Sequence, residues 1–166
     1  MIVIFLVLAV GWVAIRGIGA VNNLQEVAAS SSKLKQAIGQ GDLEKAASLS
    51  SRIAHHAESA HDLTSDPIWL GFGLLPWVGP NFSAVSEVAE IADDVASDAL
   101  VPVLEAADAL DLASLGLSGG AIDLTPFAQI EPSLAEASAT LTSAETRALG
   151  ILSLIHISEP TRLRRI

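Results

Sequence analysis

The chain has no cysteine and no tyrosine, and aromatic residues make up only 4% of it. Without cysteine there are no disulfides, no thiolate metal ligands and no thiol nucleophile, and the redox compartment stays open. Scarce aromatics beside abundant Ala, Leu and Ser speak for close-packed helices, not for a sheet rich in Val, Ile and Tyr. Positive charge is missing as well: no Lys or Arg occurs between Ile53 and Thr146, whereas fifteen Asp and Glu do. With a net charge of −10 the chain would be repelled by phosphates, which argues against nucleic acid as a partner. An anionic leaflet would repel the same surface, which suits an extracytoplasmic position. Catalytic signatures are lacking too. There is no Gly-rich phosphate loop, Ser-His-Asp arrangement or paired general acid and base, so no reaction and no cofactor is expected of this segment.

What is present begins with the first stretch. Residues 1–21 read MIVIFLVLAVGWVAIRGIGAV, fifteen apolar residues unbroken to Ile15 and then only Arg16 before the run resumes. At 1.5 Å per residue, residues 2–21 cover about 30 Å, the hydrocarbon thickness of a bilayer. A transmembrane helix is expected, with the lipid bilayer as the first partner. A cleaved signal peptide fits less well because no basic region precedes Ile2, although Gly19-Ala20 is small enough for cleavage. A buried core helix is the blander alternative. Arg16 lies near one end of the run, where its guanidinium can snorkel to the headgroups. The positive-inside rule conflicts with an extracytoplasmic bundle, since Arg16, Lys33 and Lys35 all follow the apolar run. A basic tail ahead of Met1 would reconcile the two.

Beyond Val21 the helix should continue, with Leu24, Val27, Ser31, Leu34 and Ile38 at three- and four-residue steps. Gly39-Gln40-Gly41 breaks it, and Asp42 is placed to cap a second helix carrying Leu49, Ile53, His56, Ala60 and Leu63 on one stripe. So short a turn makes the pair antiparallel, about 25 Å out from the membrane and about 30 Å back. The chain at Thr64 is then near lipid again.

There it reads SDPIWLGFGLLPWVGPNF, residues 65–82, which holds Trp69, Phe72, Trp77 and Phe82. Asp66-Pro67 joins a cap to a proline at the first helical position, so a short helix over 67–74 is expected, stopped by Pro76, Gly79 and Pro80. Two readings of the aromatics are open. They plug the end of the helical bundle, or they lie in the headgroup zone. The second makes Arg16, Trp69, Phe72, Trp77 and Phe82 candidate membrane-interface contacts.

Asn81 can cap a third, longer helix reaching Leu115, with Val85, Val88, Ala92, Val95, Ala99, Val103, Ala106 and Leu110 buried and a kink at Pro102. Residues 115–124, LGLSGGAIDL, read as a loop with Gly119-Gly120 as its flexible point. Thr125-Pro126 opens a short helical turn, and Pro132 starts the last helix, with Leu134, Ala137, Leu141, Ala144 and Ala148 inward. Glu87, Glu90, Asp94, Asp98, Glu105 and Asp108 form an acidic stripe, read as a solvated face because calcium needs a convergent oxygen cage. His55, Glu58 and Asp62, with His61 adjacent, have a zinc-compatible spacing but read first as polar surface. The expected fold class is all-α: one N-terminal transmembrane helix continuing into an antiparallel bundle of about four helices.

The end of the chain differs from the rest. LSLIHISEPTR, residues 152–162, resembles residue for residue the translation of a transposase mosaic-end sequencing adapter. Residues 151–166 are accordingly set apart as a non-native tail, and the reading frame is expected to have run off the end of a DNA fragment. Before that tail, AIGQGDLEKA, SDPIWLGFGLLPWVGPNFSAV and GGAIDLTPFAQIEPSLAEA together resemble the N-terminal region of bacterial membrane-anchored proteins of the domain of unknown function 4012 family. The most specific part is the D-P-x-W…L-P-x-x-G-P-N run. The resemblance implies a cell-envelope protein of Gram-positive bacteria in which a larger C-terminal domain follows the helices. The F-Q-N-N-x-E-x-R-x-x-G-G-F segment that opens that domain in the family does not occur here. The division expected is residues 1–21 as the anchor and 22–150 as an acidic, Ala-rich bundle or stalk. Its function is then that of an extracytoplasmic helical spacer, with partner helices or envelope proteins as further contacts. The alternative is a tetratricopeptide-like binding module, because G-D-L-x-x-A recurs at helix turns of that class, although no 34-residue repeat is present.

Overall fold

The computed structural model describes residues 1–109, 117–118, 121–122 and 125–157. The fold is all-α. Helix α1 spans Ile2–Gly39, α2 Leu43–Thr64, α3 Pro67–Gly73, α4 Gly79–Asp94, α5 Val101–Ala109 and α6 Thr125–Ile157. A π-helical segment, Val95–Leu100, joins α4 to α5. Between α5 and α6, β1 (Leu117–Ser118) and β2 (Ala121–Ile122) form a two-residue antiparallel pair. The rest of the expected 115–124 loop, with Gly119-Gly120, lies outside the described residues, as do residues 110–115 of the expected third helix and 158–166 of the tail. The backbone of α6 is helical through Ile157, past the expected start of that tail.

Helix α1 is 38 residues long with no break at Val21. Within it, Val7–Gly39 is long and apolar enough to cross a membrane, its most apolar 18 residues having a mean hydropathy of 1.4. The turn after it uses Gly41 in the left-handed conformation, φ 72°, which a side chain would resist. Asp42 Oδ1 then accepts from the Lys45 N–H at 3.0 Å and caps α2, as its position predicts. The two helices run antiparallel, with Asn23 against His56 and Arg16 against Leu63.

Their seam is built from small residues. Val13, Ala20, Ser30, Leu34 and Ala37 of α1 are buried, as are Ala46, Leu49, Ser50, Ile53, Ala57, Ala60 and Thr64 of α2. The three- and four-residue spacing is that of a coiled coil, and alanine and serine at the contact let the helix axes approach closely. The α1 stripe is therefore rotated from the expected one: Ser30 and Ala37 face the partner, while Ser31 and Ile38 are exposed. Leu34, Ala37, Ala46, Leu49, Ile53, Ala57 and Ala96 make one core cluster, flanked by Val27, Leu100 and Leu104.

Further expectations are corrected. Asn81 is not the cap of α4; the helix begins at Gly79, with Pro80 in its first turn, where a missing N–H costs nothing. The single buried stripe expected from Val85 to Leu110 is interrupted, because Val101 N–H bonds to Ala96 O, five residues back. This π register precedes Pro102 and shifts the phase of the residues after it, and Ala96 is buried within it beside the expected Ala99; ahead of it, Ala89 is buried where Val88 was expected, and Val88 is exposed. Pro132 does not start the last helix but lies inside α6. The inward face of α6 also differs: Ala137 is buried and Thr140, Ala144, Arg147 and Ile151 are half-buried, whereas Leu134, Leu141 and Ala148 are exposed. Arg147 explains the shift. Its guanidinium reaches Glu87 (2.5 Å), Glu90 (3.1 Å) and Asp94 (2.6 Å) on α4, and the hydrogen bond to Glu87 above all holds it more firmly protonated than usual. Those three carboxylates are the first half of the stripe read as solvated. With Arg147 beside α4 and the earlier part of α6 along the π segment and α5, α6 runs antiparallel to α4.

Candidate membrane-facing site

The end of the bundle opposite Gly41 is where α1, α2, α3 and α4 meet, and Arg16 sits at its centre. Its Nε–H is directed at Leu63 O (3.1 Å) and its Nη2 donates to Asp62 O (2.9 Å), so it satisfies carbonyls at the C-terminus of α2. The same Nε lies 2.7 Å from Asp66 Oδ2 as an ion pair. Asp66 Oδ1 meanwhile accepts from the N–H groups of Ile68 (2.8 Å) and Trp69 (3.1 Å), capping α3. One guanidinium thus ties the end of α2 and the start of α3 to α1. Trp12 lies beneath it, its ring centroid 5.3 Å away.

Trp69 is buried, and its indole fits against α1 where Gly17 leaves room; a Cβ there would touch the ring at 3.4 Å. The indole N–H donates to Ser86 Oγ at 2.8 Å. Ser86 Oγ is in turn 3.1 Å from both Thr64 O and Phe82 O, between which its single proton is shared. Phe82 meets Trp69 edge-on at 4.9 Å, and Phe72 lies 5.6 Å from Phe82. These three rings plug the bundle end. An open groove of about 690 Å³ beside them runs between α3 and α4, with Glu87 and Glu90 at its rim.

Trp77 is different. It is 94% exposed, and beside it Leu74 is 87% exposed, with Leu75 and Val78 also open. Residues 74–78 make a tight turn between α3 and α4 in which Trp77 has φ 77°, the left-handed region that side chains disfavour. The turn is possible because Gly79 packs on the backbone of Gly73, where a Cβ would lie 2.9 Å from the Gly73 carbonyl carbon.

Comparison with protein-family models, with curated proteins and with solved structures finds no match for this chain. The site is therefore read from its own chemistry. Of the five candidate interface residues, Arg16 is turned into the protein instead of toward headgroups, Trp69 is buried, Phe72 and Phe82 are half-buried against it, and Trp77 projects from the surface. Trp69, Phe72 and Phe82 thus answer to the plug reading, and Trp77 stands outside it. Sequence reasoning missed Ser86, whose partners are 17 and 22 residues away, and Leu74, which in the sequence is one apolar residue among many. Among the described residues no three His, Asp or Glu side chains come together as a metal site. His56, on the α2 stripe and outside the set of His55, Glu58, His61 and Asp62, is engaged by Asn23 at 2.8 Å across the α1–α2 seam.

Proposed function

We propose that this chain is a membrane-anchored, extracytoplasmic helical spacer of a cell-envelope protein, crossing the membrane once through α1. The observation that carries this reading is the continuity of α1, whose apolar N-terminal run and bundle-forming remainder are one helix without a joint, the bundle contacts beginning at Val13. An exposed apolar helix projecting from an acidic bundle has no favourable place in water; lipid offers one. The bundle rises from the anchor by about 28 Å over residues 21–39. The motifs that resemble the domain of unknown function 4012 family support the envelope reading and imply a larger domain after the helices.

Two measurements test it together. In cells, membranes carrying the chain should retain it through an alkaline carbonate wash. A membrane-impermeant maleimide should label Gln40→Cys without permeabilisation, since Gln40 is exposed and the chain has no other thiol. A chain that stays soluble as a monomer without detergent overturns the anchor, and labelling only after permeabilisation overturns the extracytoplasmic placement.

A further inference from the structure

The packing of α3 against α1 lies inside the apolar run, not beyond it. Asp66 and Trp69 meet α1 at Arg16 and Gly17, and Val13, one turn nearer the N-terminus, is already buried. If residues 2–21 lie in lipid, α3 and the turn that follows it lie at the depth of the bilayer boundary. Resting on the anchor reading above, we propose that the tip of residues 74–78 enters the interfacial layer of the bilayer that α1 crosses, as a second and monotopic contact.

The chemistry of the tip fits that partner. No charged residue occurs from Pro67 to Ser86, and the exposed side chains at the turn include Leu74, Leu75, Trp77 and Val78. A large, amphipathic indole at such a position is suited to the headgroup layer. Part of the backbone is engaged internally: Leu74 N–H bonds to Gly71 O, Leu75 to Phe72 O and Gly79 to Leu75 O, Pro76 has no donor, and only the Trp77 and Val78 N–H groups are left for the headgroup layer to satisfy. That lowers the cost of leaving water. Of the charges at this end of the bundle, Arg16 and Asp66 neutralise each other, and Glu87 and Glu90 at the groove rim are paired with Arg147. The left-handed Trp77 projects an apolar side chain from a strained position, which a soluble turn would fill with glycine or asparagine. Trp69, Phe72 and Phe82 form the plug behind the tip and stay out of lipid.

Nitroxide labels on the full chain in phosphatidylcholine–phosphatidylglycerol vesicles test this, at Leu74→Cys and Trp77→Cys, with Val7→Cys reporting the anchor and Gln40→Cys the far turn. All four side chains are exposed, so the labels replace no packing. Collision with dissolved oxygen should be high, and with a water-soluble nickel chelate several-fold lower than at Gln40→Cys, for Val7→Cys and for both tip positions. A tip as open to nickel as Gln40→Cys, with Val7→Cys protected, overturns the tip contact and leaves the anchor standing. Nickel access at Val7→Cys overturns both. Protection of the tip from oxygen and nickel alike marks a protein covering, such as a second copy, and overturns the lipid assignment.

Discussion

At the scale of single residues, the base of the bundle depends on side chains that are absent as much as on those present. Gly79 begins α4 against the backbone of Gly73, and a Cβ there would land on the Gly73 carbonyl. Backbone cannot yield as a side chain can. Gly79→Ala should therefore cost about 1–3 kcal/mol, the usual range for forced overpacking, despite the better helix propensity of alanine. Gly73→Ala is the control: its Cβ meets only the Ser83 hydroxyl at 3.3 Å, which can rotate away, so the change should be close to neutral. Denaturant unfolding in detergent, followed by helical circular dichroism, separates the two. Equal stability of both variants would mean that the turn opens without penalty and that Gly79 does not hold the tip in place. Caps were legible at this scale because Asp42 and Asp66 act within three residues of themselves. Arg16 was not, because its partners Asp62, Leu63 and Asp66 are brought to it only by the α1–α2 hairpin.

At the scale of elements, helix existence was legible and helix phase was not. Turn chemistry at Gly39–Gly41 and the Asp-Pro pair announced α2 and α3 at their observed starts. The faces went wrong where small residues form the contact, since a rule that favours large apolar side chains picks Ile38 over Ala37 and Val88 over Ala89. The π segment ahead of Pro102 shifted the phase again. Acidic residues show the same dependence on neighbours. Asp93 on α4 faces Glu58, His61 and Asp62 of α2 and adjoins Asp94; burial chiefly, and those carboxylates, raise its pKa above the usual 3.8 against the pull of His61. A carboxyl raised in the fold favours folding while protonated and loses that contribution as pH rises through its folded value. Asp93→Asn should thus stabilise at pH 7, by up to about 0.5 kcal/mol for a half-buried site, and the gain should vanish as pH falls toward about 4. Thermal unfolding of both proteins across that range checks it. A gain that grows on acidification would reverse the sign and place a stabilising partner on Asp93.

At the scale of the whole molecule, the long passes pair off. α1 leaves the base, α2 returns to it, α4 and α5 leave again, and α6 comes back with Arg147 beside the lower half of α4. The end of α6 therefore points back toward the base, and on the spacer reading the bundle is a seat beside the bilayer as much as a rise above it. Such a seat works only if its tilt on the anchor is fixed, and among the described residues the one ion pair between them is that of Arg16 with Asp66. The Arg16 side chain is 20% exposed and that of Asp66 17%, so the pair is neither a freely solvated surface bridge nor fully desolvated. Arg16→Met keeps the aliphatic length, removes the donors to Asp62 O and Leu63 O, and leaves Asp66 facing an apolar helix. The expected loss is about 1–3 kcal/mol, between the surface and buried limits. Asp66→Asn keeps the α3 cap and should cost less, because asparagine accepts the same N–H groups. In the double variant the unpaired carboxylate is gone, so the two losses should fall short of additive by about 0.5–2 kcal/mol. Unfolding of the four proteins in one detergent measures that coupling directly. Strict additivity would mean that Arg16 acts only through the α2 carbonyls, and that α3 is held to α1 by the fit of Trp69 against Gly17 and not by the ion pair.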